Sequence, residues 1–353
     1  LSWHWLFLIN VPPGIAATLL AWFLVDFDEP DYALLRRFDF LGLATMTVFL
    51  GSLQYVLEEG QTNDWFADEA IVLMAALAAG GAVAFFWRTF TARTPIVDLS
   101  TYRDRNFAVG SLLTFVLGIG LYGLTYLYPL YLARIRNYTS LQIGETVFVT
   151  GAAMFCTAPI VGNLVRRVDP RKLIGLGLAG FAASTYMVTP LTADWAFGEL
   201  FWPQAFRGVA LMLCMIPINT IALGTLPPDR VKNASGLFNL TRNLGGAVGL
   251  ATINTVLQSR TDLHYQRLAE QVRWGSVAAE ERLADIAAGL SSSLGPAADG
   301  AALARIAGMV RQQATVMAFA DVFLMLAVMF SVTLLLVPLV QRPQAAAEGV
   351  GGH

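Results

Sequence analysis

Charge is scarce in this sequence. Asp, Glu, Lys and Arg make up 14% of its 353 residues, where soluble domains carry about a quarter. The balance is almost even, with a net charge of -2, so no basic field exists to hold nucleic acid. Histidine is also rare. His4, His264 and His353 lie far apart, and neither they nor the two cysteines have metal-ligand spacing. Cys156 and Cys214 both fall inside apolar runs, which reads as small buried hydrophobes rather than a disulfide or a metal site. No nucleophile–base pair and no metal constellation appears, so neither an enzyme nor a cofactor is expected.

Apolar length is plentiful. Hydrophobic residues make up 56% of the chain, and the mean hydropathy is +0.58. A bilayer-spanning helix needs about 20 apolar residues, and nine runs qualify: 6–25, 38–56, 70–90, 107–127, 142–165, 173–189, 202–223, 236–256 and 315–337. If the first runs from outside to inside, the inner loops collect Arg36, Arg37, Arg88, Arg93, Arg103, Arg105, Arg166, Arg167, Arg171, Lys172, Arg230, Lys232 and Arg342. The short outer loops then hold only Arg134 and Arg136, which fits the positive-inside bias. Trp3, Trp5, Trp65, Trp87, Trp195 and Trp202 stand near span edges, as an aromatic belt requires. Asp39 and Asp169 precede helices as N-caps, the second followed by Pro170 at the first helical position. Pro159 and Pro217 fall within spans and should kink them. Segment 258–313 is polar and helix-prone and reads as a connector of two or three short helices on the outer face, with a break at 291–296.

The most informative stretch is 226–249. Leu226-Pro227-Pro228 ends one apolar run, a basic loop with Arg230 and Lys232 follows, and Ala234-Ser235-Gly236-Leu237-Phe238-Asn239 leads into Arg242-Asn243-Leu244-Gly245-Gly246. Gly245 and Gly249 are four apart and share a helix face that lets another helix approach closely. Asn239 and Asn243 share a face in the same way, with Arg242 between them where charge is expensive. Together these suggest a moving, water-lined interface in a transporter.

This order of residues resembles the fourteen-helix drug:proton antiporter family (EmrB/QacA type) of the major facilitator superfamily. Trp3-x-Trp5-x-Phe7-Leu8-Ile9-Asn10-Val11-Pro12-x-Gly14 is similar to the family's entry into its sixth helix. Phe319-Ala320-Asp321-Val322-Phe323 is similar to its last helix. The resemblance implies an all-α polytopic membrane protein with about nine transmembrane helices, N-terminally truncated by five. Residues 1–26 would be the last helix of the N-terminal half, and 27–106 two inserted helices. Residues 107–340 would be the six-helix C-terminal half with its periplasmic loop 258–313, and 341–353 a cytoplasmic tail. It implies a protein of the bacterial inner membrane whose partners are the lipid bilayer, protons and small amphipathic substrates, expelled as protons enter. EmrB-type likeness suggests a periplasmic adaptor protein, whereas QacA-type relatives work without one. An exporter of a specific metabolite or siderophore, or a non-transporting membrane fragment, are the alternative readings. Gly162-x-Leu164-x-Arg166-Arg167 resembles a cytoplasmic loop of the superfamily, but Arg166 stands where Asp is usual, which argues against a charge-relay latch.

Candidate substrate-cavity residues are Phe115, Tyr122, Tyr126, Met154, Phe155, Asn239 and Asn243. Aromatic rings and methionine suit lipophilic cations through contact area and cation–π attraction. Phe148 belongs to the same pattern, although an aromatic stripe also serves packing. Arg207, Arg242 and Asp321 are candidates for a proton and charge network, because charge within a bilayer is costly unless paired. Arg207 is a candidate cation near Asp321, their depths being compatible, and Glu145 reads as a headgroup-level residue. Gly245, Gly246 and Gly249 are the candidate helix-packing residues.

Overall fold

The computed structural model describes residues 8–24, 38–92, 95–272 and 277–341, and among them no strand occurs. Ten helices follow one another: α1 (Val11–Leu24), α2 (Phe40–Glu59), α3 (Glu69–Thr91), α4 (Arg105–Arg134), α5 (Ser140–Leu164), α6 (Pro170–Tyr186), α7 (Phe197–Gly224), α8 (Pro228–Gln271), α9 (Val277–Leu294) and α10 (Ala298–Leu334). Helices α2, α3, α4, α5, α7 and α10 are long and apolar enough to cross a membrane. The three other expected spans also coincide with helices. α1 has 14 described residues and α6 has 17, while the apolar run of α8 is interrupted by Asn239, Arg242 and Asn243. Trp3, Trp5, Arg36, Arg37, Arg93 and Arg342, with the rest of the expected tail from 342 to 353, lie outside the described residues.

Local chemistry sets the helix ends. Asp39 caps α2 through the Gly42 N–H at 3.0 Å, and Asp169 accepts the Arg171 N–H at 3.0 Å ahead of Pro170. α5 starts with a capping box between Thr139 and Gln142. Pro159 and Pro217 stand inside helices that continue past them, as do Pro129 and Pro203.

α2 and α3 run antiparallel, as do α4 and α7 and α4 and α10, and their ends are tied together. At one end the Arg88 guanidinium donates to Asp39 at 2.9 Å, Thr225 donates to Asp104 at 3.1 Å, and Arg105 reaches the Leu339 carbonyl at 3.0 Å. Arg230 lies 3.5 Å from Ser100 at the same end. At the other end the Tyr131 hydroxyl donates to the Thr192 carbonyl at 2.6 Å, and Gln312 donates to the Ile135 carbonyl at 3.3 Å.

The core lies between α4, α6, α7, α8 and α10. Lipid is as apolar as a leucine side chain, so close packing rather than expulsion from water must hold such helices together. Phe181 stacks on Phe330 at 4.7 Å, Tyr128 meets Phe323 at 5.4 Å, and Tyr131 meets Phe319 edge-on at 5.7 Å. Cys214 is fully buried where a Cβ at Gly177 would stand 2.5 Å from its sulfur. Cys156 corrects the expectation of burial: it is exposed on α5, and both thiols are free.

The connector 258–313 also differs from expectation. Its first part is the continuation of α8, its middle is α9, and its last part is the start of α10. The polar residues that suggested a loop are the solvated length of helices that leave the apolar layer without ending. The expected break at 291–296 is present where α9 gives way to a short 3-10 turn, Gly295–Ala297.

Asp39 carries a first prediction. Its side chain is 2% exposed. Burial alone would raise its pKa, but the Gly42 N–H and the Arg88 guanidinium hold it below the usual carboxylate range. Its contribution is therefore present above the unfolded value of about 4 and is lost as pH falls through the lower folded value. Asp39→Ala is expected to cost about 1–2 kcal/mol through the lost cap, read as a lower thermal midpoint of the purified protein at neutral pH. An unchanged midpoint would overturn this account.

Candidate functional site

α4 and α8 run parallel along a glycine seam. A Cβ at Gly245 would overlap the Phe115 carbonyl oxygen, and one at Gly118 would overlap the Arg242 carbonyl oxygen. One at Gly249 would stand 2.9 Å from the Ile119 Cα. Gly246 is covered by the Tyr122 ring, and Gly123 faces Ile253. The pairs 115/245, 119/249 and 123/253 advance together by four residues, one helical turn at a time. Small residues bring the two backbones into direct contact.

Beside this seam lies a polar face. The Tyr122 hydroxyl donates to Asn243 Oδ1 at 2.9 Å, and Arg242 Nη2 donates to Asn239 Oδ1 at 2.6 Å. One turn further along α4, the Tyr126 hydroxyl donates to Asn254 Oδ1 at 2.8 Å. Tyr122, Asn239 and Asn243 are exposed, while Phe115, Tyr126 and Arg242 are half-buried. The predicted residues of α4 and α8 are thus brought together, with amide and hydroxyl dipoles on an accessible surface. Met154 and Phe155 are not part of it. Both belong to α5, where Met154 packs near Gly208 of α7 and Phe155 is 83% exposed.

Arg207 is buried, at 2% exposure, between α7 and α4. Its Nη2 donates to Thr125 Oγ1 at 2.5 Å, with the Leu121 carbonyl at 3.5 Å. Its guanidinium lies 5.6 Å from the centre of the Tyr128 ring. Nε and Nη1 find no hydrogen-bond partner among the described residues. Next to it, a buried amide cluster joins α5 and α7: Gln204 Nε2 donates to the Thr146 carbonyl at 3.0 Å.

Asp321 is not paired with Arg207, which corrects that expectation. Its Oδ2 lies 2.8 Å from His264 Nε2 and 3.7 Å from Arg260 Nε, and both partners come from the extension of α8. A cleft of about 470 Å³ between α8 and α10 opens beside it. Among the described residues no hydrogen bond or ion pair joins Arg207, Arg242 and Asp321, so the expected network resolves into three separate sites. His264 is visible in the sequence only as a scattered histidine, and its pairing with Asp321 is hidden when its segment is read as a connector. Once that segment is helical, Arg260 and His264 are four apart and share a face. Asn254 was missed too, although it follows Asn243 by eleven residues, three turns along one face.

Residues 1–250 match the model of the Major Facilitator Superfamily. Over 97% of its length the chain is 38% identical to the Colistin resistance protein EmrB of Acinetobacter baumannii, covering 66% of that protein. It is 32% identical over 99% of its length to the Fatty acid resistance protein FarB of Neisseria gonorrhoeae, covering 68% of it. It is 30% identical over 99% of its length to the Multidrug export protein EmrB of Escherichia coli K12, covering 67% of it. The chain therefore spans about two thirds of the length of these relatives. With the glycine seam, the polar face and the all-helical bundle, these matches place the chain in the EmrB/QacA-type drug:proton antiporter family of the major facilitator superfamily.

Proposed function

We propose that the protein exports amphipathic, drug-like compounds across the bacterial inner membrane in exchange for protons. The observation that carries this reading is the polar face along α4 and α8, where Tyr122, Asn243, Asn239 and Arg242 stand on two helices joined by a glycine seam. A face of hydroxyls and amides binds varied ligands through their polar groups, and an aromatic ring adds area and cation–π attraction. α4 to α8 and α10 form the six-helix C-terminal half, α2 and α3 the inserted pair, and α1 the last helix of the other half. The substrate lies where the halves meet, near the bilayer midplane. The end that holds Asp104, Arg88 and Arg230 is cytoplasmic on the positive-inside bias. Relatives named for colistin, fatty acids and multiple drugs support a broad substrate range. EmrB-type likeness favours a periplasmic adaptor as partner, docked on the outer extensions of α8 and α10.

The test is accumulation of a lipophilic cationic dye in cells that express the transporter. Expression should lower accumulation, a protonophore should restore it, and Tyr122→Phe with Asn243→Ala should restore most of it without one. Equal accumulation with and without expression would remove the export reading. Loss that survives the protonophore would remove proton coupling.

A further inference from the structure

At the Arg134 end of the bundle a cleft of about 590 Å³ opens between α2, α4, α8 and α10. Its lining is mostly amide, hydroxyl and charged side chains, with only Ile135 and Leu257 apolar. Arg134 of α4 and Arg311 of α10 both face it, and Glu58 of α2 is its one acid. The carboxylate of Glu58 already accepts from the Gln54 amide at 2.5 Å. Among the described residues neither arginine is joined to a carboxylate. With two arginines against one carboxylate, the cleft holds one cation in excess.

Two further features suit a ligand. Tyr126 and Asn254 line the cleft and bond to each other, so it adjoins the polar face one turn above the Tyr122–Asn243 pair. The inserted hairpin supplies one wall through Glu58, which gives α2 a part in the cavity and not only in the lipid.

We propose that this cleft is a binding site for a compact anionic headgroup, a carboxylate or a phosphate, held between Arg134 and Arg311. The guanidinium forks match the paired oxygens of either anion. A mostly polar lining fits a headgroup and leaves an apolar tail outside. The proposal rests on the export reading only for the origin of the ligand, since binding is measured without transport.

The experiment measures binding of decanoate and of decyltrimethylammonium to the purified protein in phosphatidylcholine nanodiscs. Decanoate should bind more tightly than the cation. Arg134→Gln with Arg311→Gln should weaken decanoate by at least about ten-fold and leave the cation unchanged. Glu58→Gln, which removes only the opposing charge, should tighten decanoate. Anionic phosphatidylglycerol in the disc distinguishes the sources. Competition with decanoate assigns the site to a lipid headgroup, and unchanged affinity assigns it to a soluble amphiphile, each keeping the anion site. Equal decanoate affinity in wild type and the double arginine variant, or weaker decanoate binding in Glu58→Gln, would overturn the proposal. A failure of dye export with decanoate binding intact would leave this site standing and remove only the export reading.

Discussion

Gly245→Leu is expected to abolish efflux while the protein still reaches the membrane. A single Cβ at that position already overlaps the carbonyl oxygen of Phe115, so α4 and α8 must separate before any larger side chain fits. Overpacking of a tight contact costs about 1–3 kcal/mol when side chains can yield, and here the obstacle is backbone. Separation would also pull Tyr122 from Asn243, because that bond crosses the same seam. Insertion depends on hydropathy, which leucine raises, so the loss should appear in function and thermal midpoint and not in membrane abundance. Gly51→Leu is the control, since a Cβ there meets nothing within 4 Å, and its effect should stay within about 0.5 kcal/mol. Near-normal efflux in Gly245→Leu would mean that the seam opens freely.

Arg207 carries the second large effect, with stability and activity moving in opposite directions. A buried guanidinium without a carboxylate is costly. Thr125, the Leu121 carbonyl and the Tyr128 ring satisfy only part of it, and two of its nitrogens have no partner among the described residues. Even a buried ion pair is often less stable, by about 1–4 kcal/mol, than apolar side chains of similar volume, and Arg207 lacks the pair. Arg207→Met should therefore raise the thermal midpoint while lowering dye efflux by at least about ten-fold, because charge kept at such cost marks a transport site. A raised midpoint with normal efflux would make Arg207 a relic of packing. A lowered midpoint would make it a structural clamp.

Sequence made the membrane helices and the glycine seam legible because both depend on local pattern. Run length and the four-residue spacing of Gly245 and Gly249 are visible without a fold. Asp39 and Asp169 were visible as caps for the same reason, each acting within three residues of itself. The charged partners were not legible. Arg207 and Asp321 sit in helices at compatible depths, yet which helix faces which is a tertiary fact, and the structure gives them different neighbours. The connector was misread for a different reason. Hydropathy reports where the apolar layer ends, while hydrogen bonding decides where a helix ends, and in α8 the two points lie more than a turn apart.

That continuity gives α8 a mechanical property. Its 44 residues make a rod of about 66 Å at 1.5 Å per residue, roughly twice the hydrocarbon thickness of a bilayer. A tilt of about 10° about its N-terminal end would sweep the far tip through about 11 Å, whereas a helix ending at the membrane surface would move about half as far. On the proposed export reading, the seam with α4 would carry the lower part of the rod along when its half rocks, and the far tip would amplify each change of state. A spectroscopic label near Arg267, away from lipid and substrate, would read alternating access as a distance.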